Sequence, residues 1–276
     1  MNIVEHGEIF QKVLNEQILE GTTSGWMEEN ASHAIYNGGN KITFPKMLNN
    51  QYAYGTFGLT NYMDKRFRID TWYVDESNFE FTIANIVAEY QRRIVIPQID
   101  AYRYSCLAKI AGISETYTPE KTTLLHTLIH QIDKIKCAID IGENIIVAIN
   151  RLVYDKIMLF SDIPAPFQRI NFKQGNLEFP VKSIYNVPII PVPSRRMKTE
   201  YIFTNNGFEP TPSAKDINWL ICPKSASIAV SKTDNVKIIT PENNQFADAW
   251  DIDYRIYHDL FVSDNKRGCI AVSISE

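Results

Sequence analysis

The chain has 276 residues, 45% hydrophobic and 22% charged, with a net charge of −4 at neutral pH. That is ordinary globular composition, with enough chain to bury a real core in one large domain or two modest ones. Mild acidity, with no run of basic residues longer than two, argues against a dedicated nucleic-acid binder, whose affinity comes from neutralising phosphates.

No apolar run approaches the ~20 residues that span a bilayer, and the start, Met1-Asn2-Ile3-Val4-Glu5, lacks the basic and apolar regions of a signal peptide. Cys106, Cys137, Cys222 and Cys269 are too scattered for a disulfide framework, so reduced, buried thiols are expected.

Residues 1–31 read as a polar arm. Ile9, Val13, Leu14 and Ile18 fall at helical spacing, and Gly21-Thr22-Thr23-Ser24-Gly25 stops the helix. So short an amphipathic piece must pack on something else. A β-rich stretch follows over 37–75, with turn signals at Asn37-Gly38-Gly39-Asn40 and Asn49-Asn50. Lys41-Ile42-Thr43-Phe44 and 66–74 alternate as strands do, and Tyr52, Tyr54, Phe57 and Tyr62 make the middle aromatic. A long hairpin is marginal alone in water. This arm should therefore lie on the body or a neighbouring subunit, adding contacts and not core, so that deleting 40–72 leaves a folded body.

A long or broken helix is predicted over 79–111. Ile83, Ile86, Val87, Tyr90 and Ile94 form its first stripe, Pro97 interrupts it, and Ile99, Tyr102, Cys106 and Ile110 continue to Gly112. The next helix starts with Thr118 as cap, Pro119 and Glu120 in its first turn, and an apolar stripe from Leu124 through Ile139. A buried strand, Ile145–Ile149, and a short helix, Arg151–Leu159, complete an α/β rhythm. From Pro164 onward proline is dense and the texture is strands and loops. Pro223 opens a short helix through Val230, Val236–Ile239 is a strand, and 250–257 alternates as another. Asp264-Asn265-Lys266-Arg267-Gly268 reads as a hairpin turn into a last strand, Cys269–Ile274.

The chain carries no phosphate loop, dinucleotide fingerprint or nucleophile elbow. His126 and His130 are spaced for two imidazole ligands on one helix face, with Asp133 nearby, but Thr127 stands where a metalloprotease has its glutamate. They are read as a solvated or structural pair. Asp248, Asp251, Asp253 and Asp259 surround Trp250, and carboxylates together can do acid–base work or hold divalent ions. On an alternating strand, however, Asp251 and Asp253 share a face with Arg255, which reads as a solvated or salt-bridged face. Cys106 and Cys137 are expected as core thiols. Arg195-Arg196, on a loop, is suited to a phosphate or a partner's carboxylates, or is an ordinary exposed pair. No catalytic, cofactor-binding or metal residue is assigned, and no enzyme activity is expected.

The order of elements, from N-terminal arm and β-arm to long helix, α/β region and strand-rich end, resembles the major capsid proteins of tailed phages, the α+β Hong Kong 97-type fold. More specifically, it is similar to coat proteins of phages of Gram-positive bacteria. The resemblance is carried by Arg66-Phe67-Arg68-Ile69-Asp70, by 88–103 including Gln98-Ile99-Asp100-Ala101-Tyr102-Arg103, and by 187–199 including Pro193-Ser194-Arg195-Arg196. Ala247-Asp248-Ala249-Trp250, Arg255-Ile256-Tyr257-His258-Asp259-Leu260-Phe261-Val262 and Asp264-Asn265-Lys266 carry it too.

The resemblance implies an N-arm over 1–31, an extended β-loop over 32–78 and a peripheral domain whose spine helix lies in 79–114. It further implies an axial domain over about 115–230 and a return to the peripheral domain over 231–276. It implies self-assembly into hexamers and pentamers of an icosahedral virion shell, built in the host bacterial cytoplasm around double-stranded DNA. Portal, scaffold and decoration proteins are the implied partners, with no membrane and no cofactor. Scaffold is expected as a separate protein or one already removed. Lys41 and Lys46 lie on the proposed loop, yet no covalent crosslink between subunits is expected. The alternatives are an encapsulin-type nanocompartment shell, which shares the fold, and an unrelated soluble enzyme.

Overall fold

A computed structural model describes residues 13–33, 35–36, 40–48, 51–70, 79–139, 142–160, 167–204 and 207–276. The proposed turns at 37–39 and 49–50, and Ile9, lie outside them. Helix α1 covers residues 13–21 and a 3-10 segment covers Gly25–His33. Strands β1 (Ile35–Tyr36), β2 (Lys41–Leu48), β3 (Gln51–Gly58) and β4 (Asn61–Asp70) follow. Helices α2 (Phe79–Tyr90) and α3 (Ile96–Ile110) are joined by a π turn, Gln91–Val95. Then come β5 (Ile113–Thr116), α4 (Leu124–Ala138), β6 (Ile145–Asn150) and α5 (Arg151–Phe160). The rest is strand: β7 (Phe167–Gln174), β8 (Leu177–Ile184), β9 (Val187–Val192), β10 (Tyr201–Thr204) and β11 (Gly207–Pro210). β12 (Ile217–Pro223), β13 (Ser227–Ile239), β14 (Ala249–Val262) and β15 (Ala271–Ile274) end the chain.

Seven strands form one sheet in the order β5-β15-β12-β6-β9-β8-β7. β6 is buried along its whole length, as a strand covered on both faces must be. Successive side chains on a strand point to opposite faces, so its neighbours divide two cores between them. Ile146, Ala148, Ile190, Val192, Leu220 and Cys222 face one core, which Trp26, Met27, Tyr104 and Leu107 complete. Val147, Ile149, Ile189, Trp219 and Ile221 face the other, which Leu124, Leu128, Ile132 and Ile135 of α4 cover together with Val153 and Ile157 of α5.

A second sheet, β13-β14-β4, is antiparallel. Ile252, Tyr254 and Ile256 of β14 and Met63 of β4 meet Leu14 and Ile18 of α1 and Val87, Val95, Ile96 and Ile99 of the long helix. That helix therefore crosses both sheets, packing Ile96 and Ile99 on one and Tyr104 and Leu107 on the other. β2 and β3 pair in register from Lys41–Gly58 to Leu48–Gln51, with β1 on their outer side. At about 3.4 Å per residue the hairpin is roughly 25 Å long. Its base is fixed by Ile42 and Leu59 against Val230.

Several elements differ from expectation. β4 belongs to the body, since Met63 is buried and all ten of its residues pair with β14. The aromatic arm is thus a hairpin fixed at its base and followed by a core strand, and deletion of 40–72 would remove core. In α1, Leu14 and Ile18 are buried but Val13 is exposed. Thr118 does not start α4; Tyr117 N–H bonds the Ile274 carbonyl at 2.8 Å and its ring lies against Trp219, so the chain runs on extended and the helix begins at Leu124. β5 was unforeseen, because Ile-Ser-Glu-Thr carries little strand signal and pairs in parallel with β15. Pro223–Val230 is no helix: one 3-10 turn, Lys224–Ala226, leads into β13. The turn at 264–268 is not a hairpin either, because β14 pairs with β13 and β4 while β15 joins the other sheet.

Candidate functional site: two arms and their anchors

The N-terminal arm is held by a buried carboxylate. Asp100 and Arg103 lie on α3 where it is enclosed on all sides, and both are fully buried. Charge can stay there only if paired and hydrogen-bonded. Asp100 Oδ2 accepts from Thr23 N–H at 3.0 Å, Thr23 Oγ1 at 2.8 Å and Arg196 Nη1 at 2.8 Å. Asp100 Oδ1 accepts from Ser24 N–H at 3.0 Å and Ser24 Oγ at 2.6 Å. Arg103 donates to Ser24 Oγ at 3.2 Å and to Glu28, which also accepts from Ser231 Oγ at 2.6 Å. Tyr104 donates to Thr23 Oγ1 at 3.2 Å. Gln174 reaches the Leu19 and Thr22 carbonyls, both at 2.7 Å, from β7. Gly25 is required here, because a Cβ would come within 2.5 Å of Gln174 Nε2 and the Leu19 carbonyl. The arm is thereby tied to the long helix and both sheets.

A second carboxylate, Asp259 of β14, holds the root of the hairpin. Its Oδ2 accepts from Thr60 N–H at 2.9 Å and Thr60 Oγ1 at 2.8 Å, and its Oδ1 accepts from Tyr102 OH at 2.6 Å. Burial and the neighbouring carboxylate push the Tyr102 phenol far up, so it stays a donor. Next to it His258 is buried against the Tyr102 ring, 5.1 Å between centroids, and its Nδ1 has no hydrogen-bond partner among the described residues. Burial first, and Arg103 second, push the imidazole down to about 3.

That shift has a measurable consequence. The folded chain keeps His258 neutral while an unfolded histidine takes up a proton near pH 6.5, so stability falls as pH drops from about 6.5 towards 3. His258→Gln should flatten that slope by up to about 1.4 kcal/mol per pH unit. Urea unfolding of both proteins at several pH values checks it, and parallel curves would exclude the histidine.

β4 and β14 are joined by a ladder of facing charges. Arg68 opposes Asp251, Arg66 opposes Asp253 and Asp64 opposes Arg255 in direct register. Arg68 makes a bidentate pair with Asp251 at 2.8 and 2.9 Å, and its guanidinium holds the Asp251 carboxyl below the usual range. Arg66 also pairs through two nitrogens, whereas Arg255 reaches Asp64 only at 3.4 Å with both groups half exposed. Arg68→Ala strands a buried carboxylate and should cost about 1.5–3 kcal/mol, while Arg255→Ala should cost under about 1 kcal/mol. Chemical denaturation measures the difference, and equal effects would refute the ranking.

The acidic cluster is thus divided: Asp251 and Asp253 are structural ladder members, Asp259 is an anchor, and Asp248 is exposed. His126, His130 and Asp133 are all exposed on α4. Among the described residues no group of three metal-binding side chains forms, and no helix is long and apolar enough to cross a membrane. Cys137 is exposed, contrary to the expected core thiol, because it lies on the outer face of the last turn of α4; Cys106 is half-buried. Of the arginine pair, Arg196 turns in to Asp100 while Arg195 stays out over the Phe208 ring at 5.4 Å. Asp100, Tyr102, Arg103 and Asp259 went unread as a network. Their one signal was charge inside apolar stretches, with a Thr-Ser-Gly run elsewhere able to donate to it.

No family model and no curated protein matches the chain. Solved structures do. The capsid of cyanophage P-SCSP1u aligns over 87% of this chain and 85% of its own, at 12% identity and a TM-score of 0.55. The virus-like particle from Pyrococcus furiosus aligns over 98% and 99%, at 10% identity and a TM-score of 0.54. A structure from Microbacterium phage Oxtober96 aligns over 90% and 91%, at 10% identity and 0.51. Similarity at such identities is similarity of fold.

The chain has the Hong Kong 97-type fold.

Within this Hong Kong 97-type fold the anchors occupy the sequence phrases singled out above. Asp100, Tyr102 and Arg103 fall in 88–103, Arg196 in 187–199, and His258 and Asp259 in 255–262. Those phrases are the places where separate segments of the chain are hydrogen-bonded together.

Proposed function

We propose that this chain is the major capsid protein of a tailed phage, a structural subunit without catalytic activity. It assembles into hexamers and pentamers of an icosahedral shell, part of the virion, that encloses double-stranded DNA without reading its sequence. The observation that carries this reading is the pair of arms, each locked to a two-sheet body by a buried carboxylate. A hairpin that pairs only with itself and β1 among the described residues gains its stability from a neighbour. In this reading 1–31 is the N-arm, 32–78 carries the extended loop, and 79–114 with 231–276 forms the peripheral domain around the spine helix. The axial domain is 115–230, and β15 adds a strand to its sheet. Scaffold, portal and decoration proteins are its expected partners, and the host cytoplasm its place of assembly. The mild net negative charge suits a wall that contains DNA without gripping it.

Expression with its scaffold should give closed shells in electron micrographs. Persistent monomer under all conditions would overturn the proposal. Shells that form around protein cargo, with no DNA in particles from infected cells, would favour a nanocompartment instead.

A further inference from the structure

The loop between β13 and β14 presents an aromatic knob. Phe246 is 84% exposed, unusual for a phenylalanine on an ordered turn. The turn is preorganised: Pro241–Asn243 is a 3-10 segment, Asn244 Nδ2 donates to the Ala249 carbonyl at 2.8 Å, and Phe246 N–H donates to Asn244 Oδ1 at 3.1 Å. Glu242 and Asp248, both exposed, stand on either side of Phe246 in the chain and put two carboxylates on this loop.

A complementary cavity lies elsewhere on the chain. About 320 Å³ opens between the π turn and the β10–β11 hairpin, lined by Arg93, Arg195 and Lys198 together with Ile94, Phe208 and Pro210. Arg93 pairs with Glu89 and Lys198 with Asp216. Among the described residues Arg195 has no carboxylate partner and rests on the face of Phe208. The cavity therefore offers a solvent-exposed guanidinium, without a carboxylate partner among the described residues, beside apolar and aromatic surface. A free anion would satisfy the charge and leave the apolar wall bare. An aromatic side chain between two carboxylates satisfies both, adding ring–cation contact to apolar burial.

We propose that Phe246 of one copy, flanked by Glu242 and Asp248, docks into the Arg93–Arg195–Lys198 cavity of a second copy. The knob does not line the cavity of its own chain, so the contact joins two copies, and set head-to-tail such contacts repeat around a ring. The inference rests on self-assembly as proposed above and names one contact that drives it.

Phe246→Ala and Arg195→Glu change exposed side chains and should leave the melting temperature within a few degrees of the parent. Each should lower shell yield at least tenfold, read by sedimentation and electron microscopy. Glu242→Arg with Asp248→Arg should do the same, and combining these with Arg195→Glu should restore shells. Normal yields from the single variants, or loss without restoration in the combination, would overturn the contact while leaving the shell reading intact. If the parent forms no shells, the shell reading fails, and a fluorescent peptide spanning 239–249 decides the contact. Saturable binding to the parent, lost with Arg195→Glu, supports it; no binding, or equal binding to both, overturns it.

Discussion

Asp100→Ala should lower the unfolding free energy by about 3–5 kcal/mol, the range for removing one partner of a buried ion pair. The carboxylate accepts five hydrogen bonds from three residues in two segments of the chain, and it is fully buried. Alanine leaves Arg196 without its partner and Thr23 and Ser24 with donors aimed at apolar surface. Asparagine is little better, because its amide NH₂ must face donors. Arg196→Ala should cost less: Asp100 keeps four donors, and the arginine is itself partly exposed. Whole domains are stable by only about 5–15 kcal/mol, so the alanine variant should be marginal at 25 °C. Urea unfolding followed by circular dichroism measures it. A loss below about 1 kcal/mol would mean that water replaces the carboxylate freely and that the arm is not anchored there.

Shortening the hairpin should have the opposite signature, a preserved fold and lost assembly. Thr43 and Thr56 face each other in the β2–β3 ladder, so 44–55 can be replaced by Asn-Gly, the preferred two-residue hairpin turn. Ile42 and Leu59 remain on Val230, and Asp259 keeps Thr60. The melting temperature should stay within a few degrees, and shell yield should fall at least tenfold. Deleting 61–70 should instead unfold the protein, because it removes Met63 and the entire charge ladder. A shortened chain that still closes shells at parental yield would show that the hairpin is dispensable.

Much of this architecture was legible wherever side-chain periodicity met one core. Ile145–Ile149 is a fully buried strand, and the α4 stripe places Leu124, Leu128, Ile132 and Ile135 inside. The long helix was misread at Ile94 for a specific reason. The Ile96 N–H bonds the Gln91 carbonyl five residues back, and this wider turn shifts the helical phase. Val95 is therefore the buried residue, and Ile94 lines the cavity instead. Thr118 and Pro119 carried sound local start signals, but the pairing of β5 with β15 kept the chain extended past them. The anchors were hidden because a buried aspartate and an exposed one look alike in one dimension. Only the fold brings Thr23, Ser24 and Arg196 around Asp100.

One turn of the long helix therefore joins two levers. Asp100, Arg103 and Tyr104 grip the N-terminal arm, while Tyr102, between them, grips the carboxylate that holds the hairpin's root. The attachment points lie within five residues, 100–104, roughly 6 Å of helix axis. In the shell proposed above, tension on one arm would reach the other through this short stretch of helix.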